Sequence, residues 1–120
     1  MATVFSNDGK NSLLDGLAAD AAYLSLHTAD PSTTGANEVT GGSPAYARKS
    51  VTWSAVSGGA LTSSNSQVFD VPASTTIAYV GLWSALTSGT FYGHVSITSE
   101  SFTGQGTYTI ATGDVDFTVA

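Results

Sequence analysis

The sequence is short of positive charge and lacks reactive sulfur. Its 120 residues include no cysteine and only three cations, Lys10, Arg48 and Lys49. Without cysteine there is no disulfide framework, no thiol nucleophile and no cysteine-ligated metal site. Nine acidic residues leave a formal net charge of -6. Because nucleic acids and anionic membranes are both bound through clusters of cations, the composition argues against both as partners.

Long apolar runs are missing as well. No stretch approaches the roughly 20 apolar residues of a transmembrane helix. The first residues, Met1–Val4, lack the basic and apolar regions of a secretory signal peptide. We therefore expect synthesis in a cytoplasm without export through a cleaved signal.

Serine, threonine and glycine take the place of the charges. There are 17 serines, 17 threonines and 13 glycines, and 42% of the residues are apolar. That apolar fraction suffices for one folded domain and argues against disorder. Threonine favours strands through its branched Cβ. An uncharged hydroxyl surface is typical of β-rich proteins that pack against other subunits or work outside the cell.

One helix is predicted near the N-terminus, within residues 6–20. Its apolar stripe consists of Leu13, Leu14 and Leu17. Asn7 or Asp8 offers the short oxygen side chain that caps a helix N-terminus. Gly16 weakens the helix, so about two turns are expected.

Eight short runs of strand-forming residues follow, separated by turn signals about every 8 to 12 residues. The runs are 23–28, 50–56, 60–64, 67–71, 76–83, 91–98, 106–111 and 115–119. The most apolar run, 76–83, is predicted to be a central strand. The pattern predicts an all-β fold, an antiparallel β-sandwich or jelly-roll-like arrangement with one short N-terminal helix. Residues 1–22 then form an N-terminal segment, and residues 23–120 form a single β domain with a long loop, 29–48.

The loop 29–48 is long for a compact domain, and loops of this length are often functional. The adjacent cations Arg48 and Lys49 either dock against an acidic neighbouring subunit or blunt a strand edge, and the residues leave both alternatives open. The candidates for contact with a partner are Lys10, Asp30, Asn37, Glu38, Tyr46, Arg48 and Lys49.

Residues with catalytic potential are few. His27 and Asp30 are close in sequence, but no serine lies in a Gly-x-Ser-x-Gly elbow, so a Ser-His-Asp hydrolase is disfavoured. Asp114 and Asp116 share one strand face about 7 Å apart, a spacing that suits glycoside hydrolysis or part of a Ca²⁺ site. Nothing else marks a cleft, so we expect solvated carboxylates. The sequence predicts no enzyme, no cofactor and no bound metal.

The aromatic residues have two interpretations. They either form a platform on which sugar rings stack or pack in the core. The residues concerned are Tyr46, Trp53, Tyr79, Trp83, Tyr92 and Tyr108. Because Trp53 shares a face with apolar residues and Trp83 ends the most apolar strand, core packing is the better interpretation.

Two strings of residues resemble a known family. The first is Leu24-Ser25-Leu26-His27-Thr28-Ala29-Asp30-Pro31, then Thr34-Gly35-Ala36-Asn37-Glu38-Val39, Tyr46-Ala47-Arg48-Lys49 and Val51-Thr52-Trp53. The second is Val71-Pro72-Ala73, then Tyr79-Val80-Gly81-Leu82-Trp83 and Gly89-Thr90-Phe91-Tyr92-Gly93. Together they resemble small virion structural proteins of tailed bacteriophages, often labelled tail fibre or minor structural proteins. The likeness covers nearly the whole chain.

The resemblance implies a structural role in the virion, after synthesis in the cytoplasm of the bacterial host. Because a fibre needs length and the chain has no coiled coil or repeat, we expect a capsid decoration (cement or minor capsid) protein that stabilises the head. Its partners would be the major capsid protein or other virion proteins, and a homo-oligomer, favoured as a trimer, would use residues 1–12, the loop 30–48 and strand edges. The alternative is a tail fibre or tail-tip domain that binds a host receptor or carbohydrate.

Overall fold

The computed structural model describes residues 4–119, which form one helix followed by eight strands. The helix is α1 (Asn7–Asp20). The strands are β1 (Tyr23–His27), β2 (Lys49–Ser50), β3 (Ala60–Thr62), β4 (Gln67–Val71), β5 (Thr75–Trp83), β6 (Phe91–Phe102), β7 (Gly106–Ile110) and β8 (Asp116–Thr118). Within these residues, no helix has the length and apolar character needed to cross a membrane.

The start of α1 differs from the prediction in its cap. The Ser6 hydroxyl accepts a hydrogen bond from the Gly9 N–H at 3.1 Å, so Ser6 and not Asn7 or Asp8 is the cap. Asp8 lies in the first turn instead, where its negative charge is favourable beside the positive end of the helix dipole.

The length of α1 also exceeds the two turns that were expected. The helix has 14 residues and runs past Gly16. Leu14 is buried, and Leu17 packs against the core. This burial outweighs the roughly 1 kcal/mol that a glycine costs inside a helix.

The largest sheet has four antiparallel strands in the order β2-β1-β5-β6. The central position predicted for residues 76–83 is confirmed, since β5 pairs with β1 on one side and β6 on the other. The inner strand β1 is buried on both faces, so Ser25 and His27 are enclosed as completely as Leu24 and Leu26.

Two further pairs, β3-β8 and β4-β7, complete the antiparallel β structure. The core lies between the sheets. Its buried residues are Ala21, Leu24, Leu26, Val39, Val51, Phe69, Val71, Ile77, Val80, Leu82, Ile110 and Val115. The expectation of an all-β fold of the sandwich type with one N-terminal helix is confirmed.

The predicted strand 50–56 is mostly wrong. Only Lys49–Ser50 pair as β2, and Trp53 makes an isolated bridge to Ser63. Two side-chain contacts with distant residues hold the segment: the Trp53 Nε1–H donates to the Ala21 carbonyl at 2.8 Å, and the Asn65 side chain accepts from the Thr52 N–H at 2.9 Å. The Ser54 N–H still donates to the Thr62 carbonyl and the Ser64 N–H to the Thr52 carbonyl, but the Asn65 side chain occupies the Thr52 N–H, so no regular ladder forms.

The other strands follow the predictions with shifted ends. Strand β3 pairs with β8. It also folds back on the segment before it, because Ser57 and Ala60 exchange backbone hydrogen bonds across the predicted Gly58-Gly59 turn. Strand β6 extends to Phe102, beyond the predicted end at residue 98, because Ser101 and Phe102 pair with Thr76 and Thr75 of β5.

Candidate functional site

The most elaborate polar arrangement in the described chain is built around Arg48, at the end of the long loop. Arg48 is only 8% exposed. Its Nε donates to one oxygen of the Glu38 carboxylate at 2.9 Å and its Nη2 donates to the other at 3.0 Å. This two-point pairing fixes the orientation of both side chains. The pair ties the loop's last residues to its middle.

Arg48 also fastens the loop to the connection between β5 and β6. Its Nη1 donates to the carbonyls of Ala85 at 2.9 Å and Ser88 at 2.8 Å. The guanidinium carbon lies 3.7 Å from the centre of the Trp83 ring, a cation–π contact. A single side chain therefore joins the loop to residues 83–88.

Tyr46 reinforces the same pair from inside the loop. Its hydroxyl donates to the Glu38 carboxylate at 2.9 Å and accepts from the Leu26 N–H of β1 at 3.0 Å. Burial, and then the Glu38 charge, raise the pKa of Tyr46, so this phenol stays a donor. We call Glu38, Tyr46, Arg48 and Trp83 the loop clamp.

The rest of the loop lies along β1. The Thr28 N–H donates to the Asn37 carbonyl and the Val39 N–H donates to the Leu26 carbonyl, each at 3.0 Å. His27 and Glu38 form an antiparallel bridge between them. The segment 37–39 therefore covers the edge of β1 that β2 leaves unpaired, which protects that edge from association.

A buried chain of hydrogen bonds continues inward from the loop clamp. The Trp83 Nε1–H donates to the Ser25 hydroxyl at 2.8 Å, Ser25 and His27 Nε2 are 2.6 Å apart, and His27 Nδ1 is 2.7 Å from the Ala36 carbonyl. Because a carbonyl only accepts, Nδ1 carries the proton and Nε2 accepts from Ser25. Burial lowers the pKa of His27 against the opposing effect of the Ala36 carbonyl, which favours this neutral form.

Ser25 and His27 have the spacing of a nucleophile and its base, but both are 0% exposed. Gly81 packs directly on the pair, since a Cβ there would clash with Ser25 Oγ and His27 Nε2. No substrate can reach the serine in this packing. The arrangement instead holds Ala36, and with it the loop, against β1.

The outward side of the loop is polar and held by its own turns. Asp30 and Asn37 are exposed; the Asp30 carboxylate accepts from the Ser32 N–H at 2.8 Å, and the Asn37 amide donates to the Asp30 carbonyl at 3.1 Å. The Asp30 carboxylate also lies 3.5 Å from His94 Nε2 of β6. These contacts give the loop surface a defined shape.

Beside the loop clamp is a groove of about 360 Å³ between the loop and the β5–β6 connection. Leu86, at its side, is 48% exposed. The groove is lined by Glu38, Val39, Thr40, Gly41, Tyr46, Ala47, Arg48, Leu86, Thr87 and Ser88. We call the outward face of residues 28–48 and 84–90 the loop face.

The structure brings together five of the seven predicted contact residues. Asp30 and Asn37 lie on the loop face, while Glu38, Tyr46 and Arg48 lie beneath it. The half-buried Lys49 belongs to β2, and Lys10 belongs to α1 with its side chain against Gly59. Direct contact with a partner stays a prediction for all seven. Trp83, Ser25 and His27 were missed as part of the site; the polar alternation in β1 is the sequence signal for Ser25 and His27, and none marks the role of Trp83.

The other candidates take separate places. Asp114 precedes β8, Asp116 begins it, and both are exposed. Within residues 4–119 no three or more His, Cys, Asp or Glu residues cluster in a way that could hold a metal. Of the aromatics, Trp83 is buried, Trp53 and Tyr46 pack against the core, and Tyr92 is exposed.

The chain matches a known protein family over nearly its whole length. A family model described as "Gp80: Podophage GP4 fiber I protein gp80" matches residues 1–118. A search of curated proteins finds no match. The description favours the fibre alternative over capsid decoration, which these findings do not confirm.

Proposed function

Because the chain belongs to the Gp80 family of podophage fibre proteins and is a structural component of the phage particle, we propose that it serves in the tail fibre as a domain that contacts the host surface. The observation that carries this proposal is the loop clamp. In a fibre protein, a long polar loop held this firmly is a surface prepared for recognition.

The physical reason lies in the entropy of binding. A mobile loop must be ordered when it binds, and that ordering reduces affinity. Here the loop is already ordered when the protein folds, because Arg48 bonds simultaneously to Glu38 and to the carbonyls of Ala85 and Ser88. Arg48 and Glu38 bond to groups of the protein, which leaves hydroxyls, amides and the exposed Asp30 carboxylate to face a partner.

We further propose that the protein acts by binding and not by catalysis. The pair that resembles a nucleophile and its base, Ser25 and His27, is sealed beneath Gly81. The carboxylates Asp114 and Asp116 are exposed, and carboxylic acids in glycosidases depend on environments that separate their pKa values.

Assembly with other chains, as a trimer or with other virion proteins, is part of the same proposal. The structure measures 49 × 30 × 26 Å, and assembly with other chains would extend it. Val4 and Phe5, just before α1, and Leu13, within it, are large exposed apolar residues, with Val4 at 87%. Exposed apolar groups that lie close together often mark association surfaces. Sedimentation of the purified protein should show a trimer, and Phe5→Ser should weaken it more than Leu86→Ser on the loop face.

Phage adsorption tests the host-contact proposal. Purified protein added before infection should compete with particles for the host surface and slow adsorption. A variant with Asp30→Ala and Asn37→Ala alters the exposed loop face and should compete less, whereas Asp20→Asn at the exposed end of α1 should compete like the natural protein. Undiminished adsorption at saturating protein would contradict the proposal.

A further inference from the structure

A second cleft, of about 260 Å³, lies between β6, β7 and the turn before β8, and no residue of the loop clamp lines it. Its apolar part is continuous with the core and consists of Val80, Val95, Ile97, Ile110 and Val115. Its polar groups are those of Ser96, Thr98, Tyr108 and Asp114. An apolar floor with a few convergent polar groups is the usual composition of a small-ligand site.

A bulge in β6 shapes one wall. Ile77 pairs with Glu100 and Tyr79 pairs with Ser96, so the three residues 97–99 stand opposite Ala78 alone. Bulges bend a strand and redirect its side chains, and they are frequent beside binding sites. Here the bulge contains Ile97 and Thr98, both of which line the cleft.

The opposite wall carries Asp114 on a fixed turn. The buried Ser63 accepts from the Gly113 N–H through its carbonyl at 3.0 Å and through its hydroxyl at 3.2 Å. Gly113 has a φ of 85°, a conformation that favours glycine. The Asp114 N–H closes the turn on the Ala111 carbonyl at 3.1 Å. The exposed carboxylate is therefore presented from a rigid backbone.

Tyr108 is a further polar residue that lines the cleft. Its ring is half-buried against the core. Among residues 4–119 its hydroxyl has no hydrogen-bond partner in the protein, in contrast to that of Tyr46. Burial first, and then the charges of Glu100 and Asp114, raise the pKa of Tyr108, so the phenol remains a neutral donor in the presence of those carboxylates.

We propose that this cleft binds one ring of a neutral or amino sugar. The C–H face of the ring would lie on the apolar floor and Tyr108, while its hydroxyls would bond to Asp114, Ser96 and Thr98. The volume is below the roughly 300–1,000 Å³ of sites for drug-sized ligands, which fits a single ring. No cation lines the cleft, so an anionic sugar would meet only repulsion from Asp114 and Glu100. The inference rests on the proposed function, since it names the class of host ligand.

Nuclear magnetic resonance of the isotope-labelled full chain tests the proposal directly. The probes are glucose, N-acetylglucosamine, glucosamine and the anionic glucuronate. At least one of the first three should shift the amide signals of residues 95–98, 108–110 and 113–115 with a millimolar dissociation constant, and glucuronate should not. Tyr108→Phe and Asp114→Asn should each weaken binding about threefold to tenfold, the range expected for one hydrogen bond.

Two matched variants serve as controls. Tyr92→Phe changes another tyrosine of the same sheet region, and Asp116→Asn changes the carboxylate two residues beyond Asp114; both should bind sugar like the natural protein. Equal weakening by these controls, shifts outside the cleft, or no shift with any sugar at about 100 mM would overturn the inference. Because adsorption competition is measured separately, a protein that competes but binds no sugar would overturn only the cleft assignment.

Discussion

The loop clamp and the cleft beside β6 use polar side chains in opposite ways. In the clamp, the Arg48 guanidinium bonds to a carboxylate and two carbonyls, and the Tyr46 hydroxyl both donates and accepts. In the cleft, Tyr108 packs half-buried against the core and Asp114 is held by a turn, while neither side-chain oxygen bonds to another residue in the range 4–119. Polar groups that bond to other groups of the protein maintain the structure. Polar groups that are held in position without such a partner are available to bond to a ligand.

The largest effect is expected from removing the cation of the loop clamp. Arg48→Met leaves the Glu38 carboxylate partly buried without its partner, which should lower the free energy of unfolding by about 3 kcal/mol. Urea denaturation measures this. Lys49→Met, one residue further on, is the control and should stay within about 0.5 kcal/mol of the natural protein. Equal losses from both variants would show that the clamp does not stabilise the fold.

Gly81→Ala tests the hydrogen-bonded chain beneath the clamp. The new methyl group would collide with Ser25 Oγ and His27 Nε2, and overpacking of this kind should cost about 2 kcal/mol. Gly93→Ala on the neighbouring strand meets open space and should change thermal stability little. The close packing of Gly81 would be refuted if the two variants melted at the same temperature.

The two tyrosines compare the regions most closely. Tyr46→Phe removes a hydroxyl with two hydrogen bonds, one of them to a carboxylate, and should cost about 1.5 kcal/mol. Tyr108→Phe removes a hydroxyl without a protein partner and should cost less than about 0.5 kcal/mol. Denaturant titrations measure both losses. A larger loss for Tyr108→Phe than for Tyr46→Phe would contradict this comparison of the two regions.

The remaining prediction concerns acidity. The pKa of His27 is lowered on folding, so below about pH 6.5 the unfolded chain binds the proton more readily than the folded one. Above that pH, His27 is neutral in both states and does not lower the free energy of unfolding. As the pH drops from there toward the pKa of the folded state, the free energy of unfolding decreases by at most about 1.4 kcal/mol per pH unit. His27→Gln should show a shallower loss than the natural protein in unfolding experiments at pH 7.5 and 5. If the free energy of unfolding of the variant changed with pH as much as that of the natural protein, His27 would not be the cause of the pH dependence.

The strands were predictable where local pattern and burial agree. The apolar run at residues 76–83 and the turn residues around 72 and 113 determined their strands without reference to distant partners. Segment 50–56 alternates equally well, yet Trp53 and Thr52 bond to Ala21 and Asn65 far along the chain. These contacts cannot be inferred from the alternation of apolar and polar residues within the segment.

The candidate site was only partly predictable for a similar reason. A cation beside a polar loop is usually solvated, so the sequence alone does not show that Arg48 points inward. Its burial depends on Glu38, ten residues earlier, and on backbone carbonyls about 40 residues later. Asp30 and Asn37, whose surroundings are local turns, lie at the surface, as polar loop residues generally do.

The position of the protein on the particle tests the central claim most directly. Gold-labelled antibodies against the purified protein, viewed on intact virions by electron microscopy, would show where the chain lies. The account predicts label on the tail fibres and none on the capsid faces. Label distributed over the head would contradict it and would support the decoration role that the sequence first indicated.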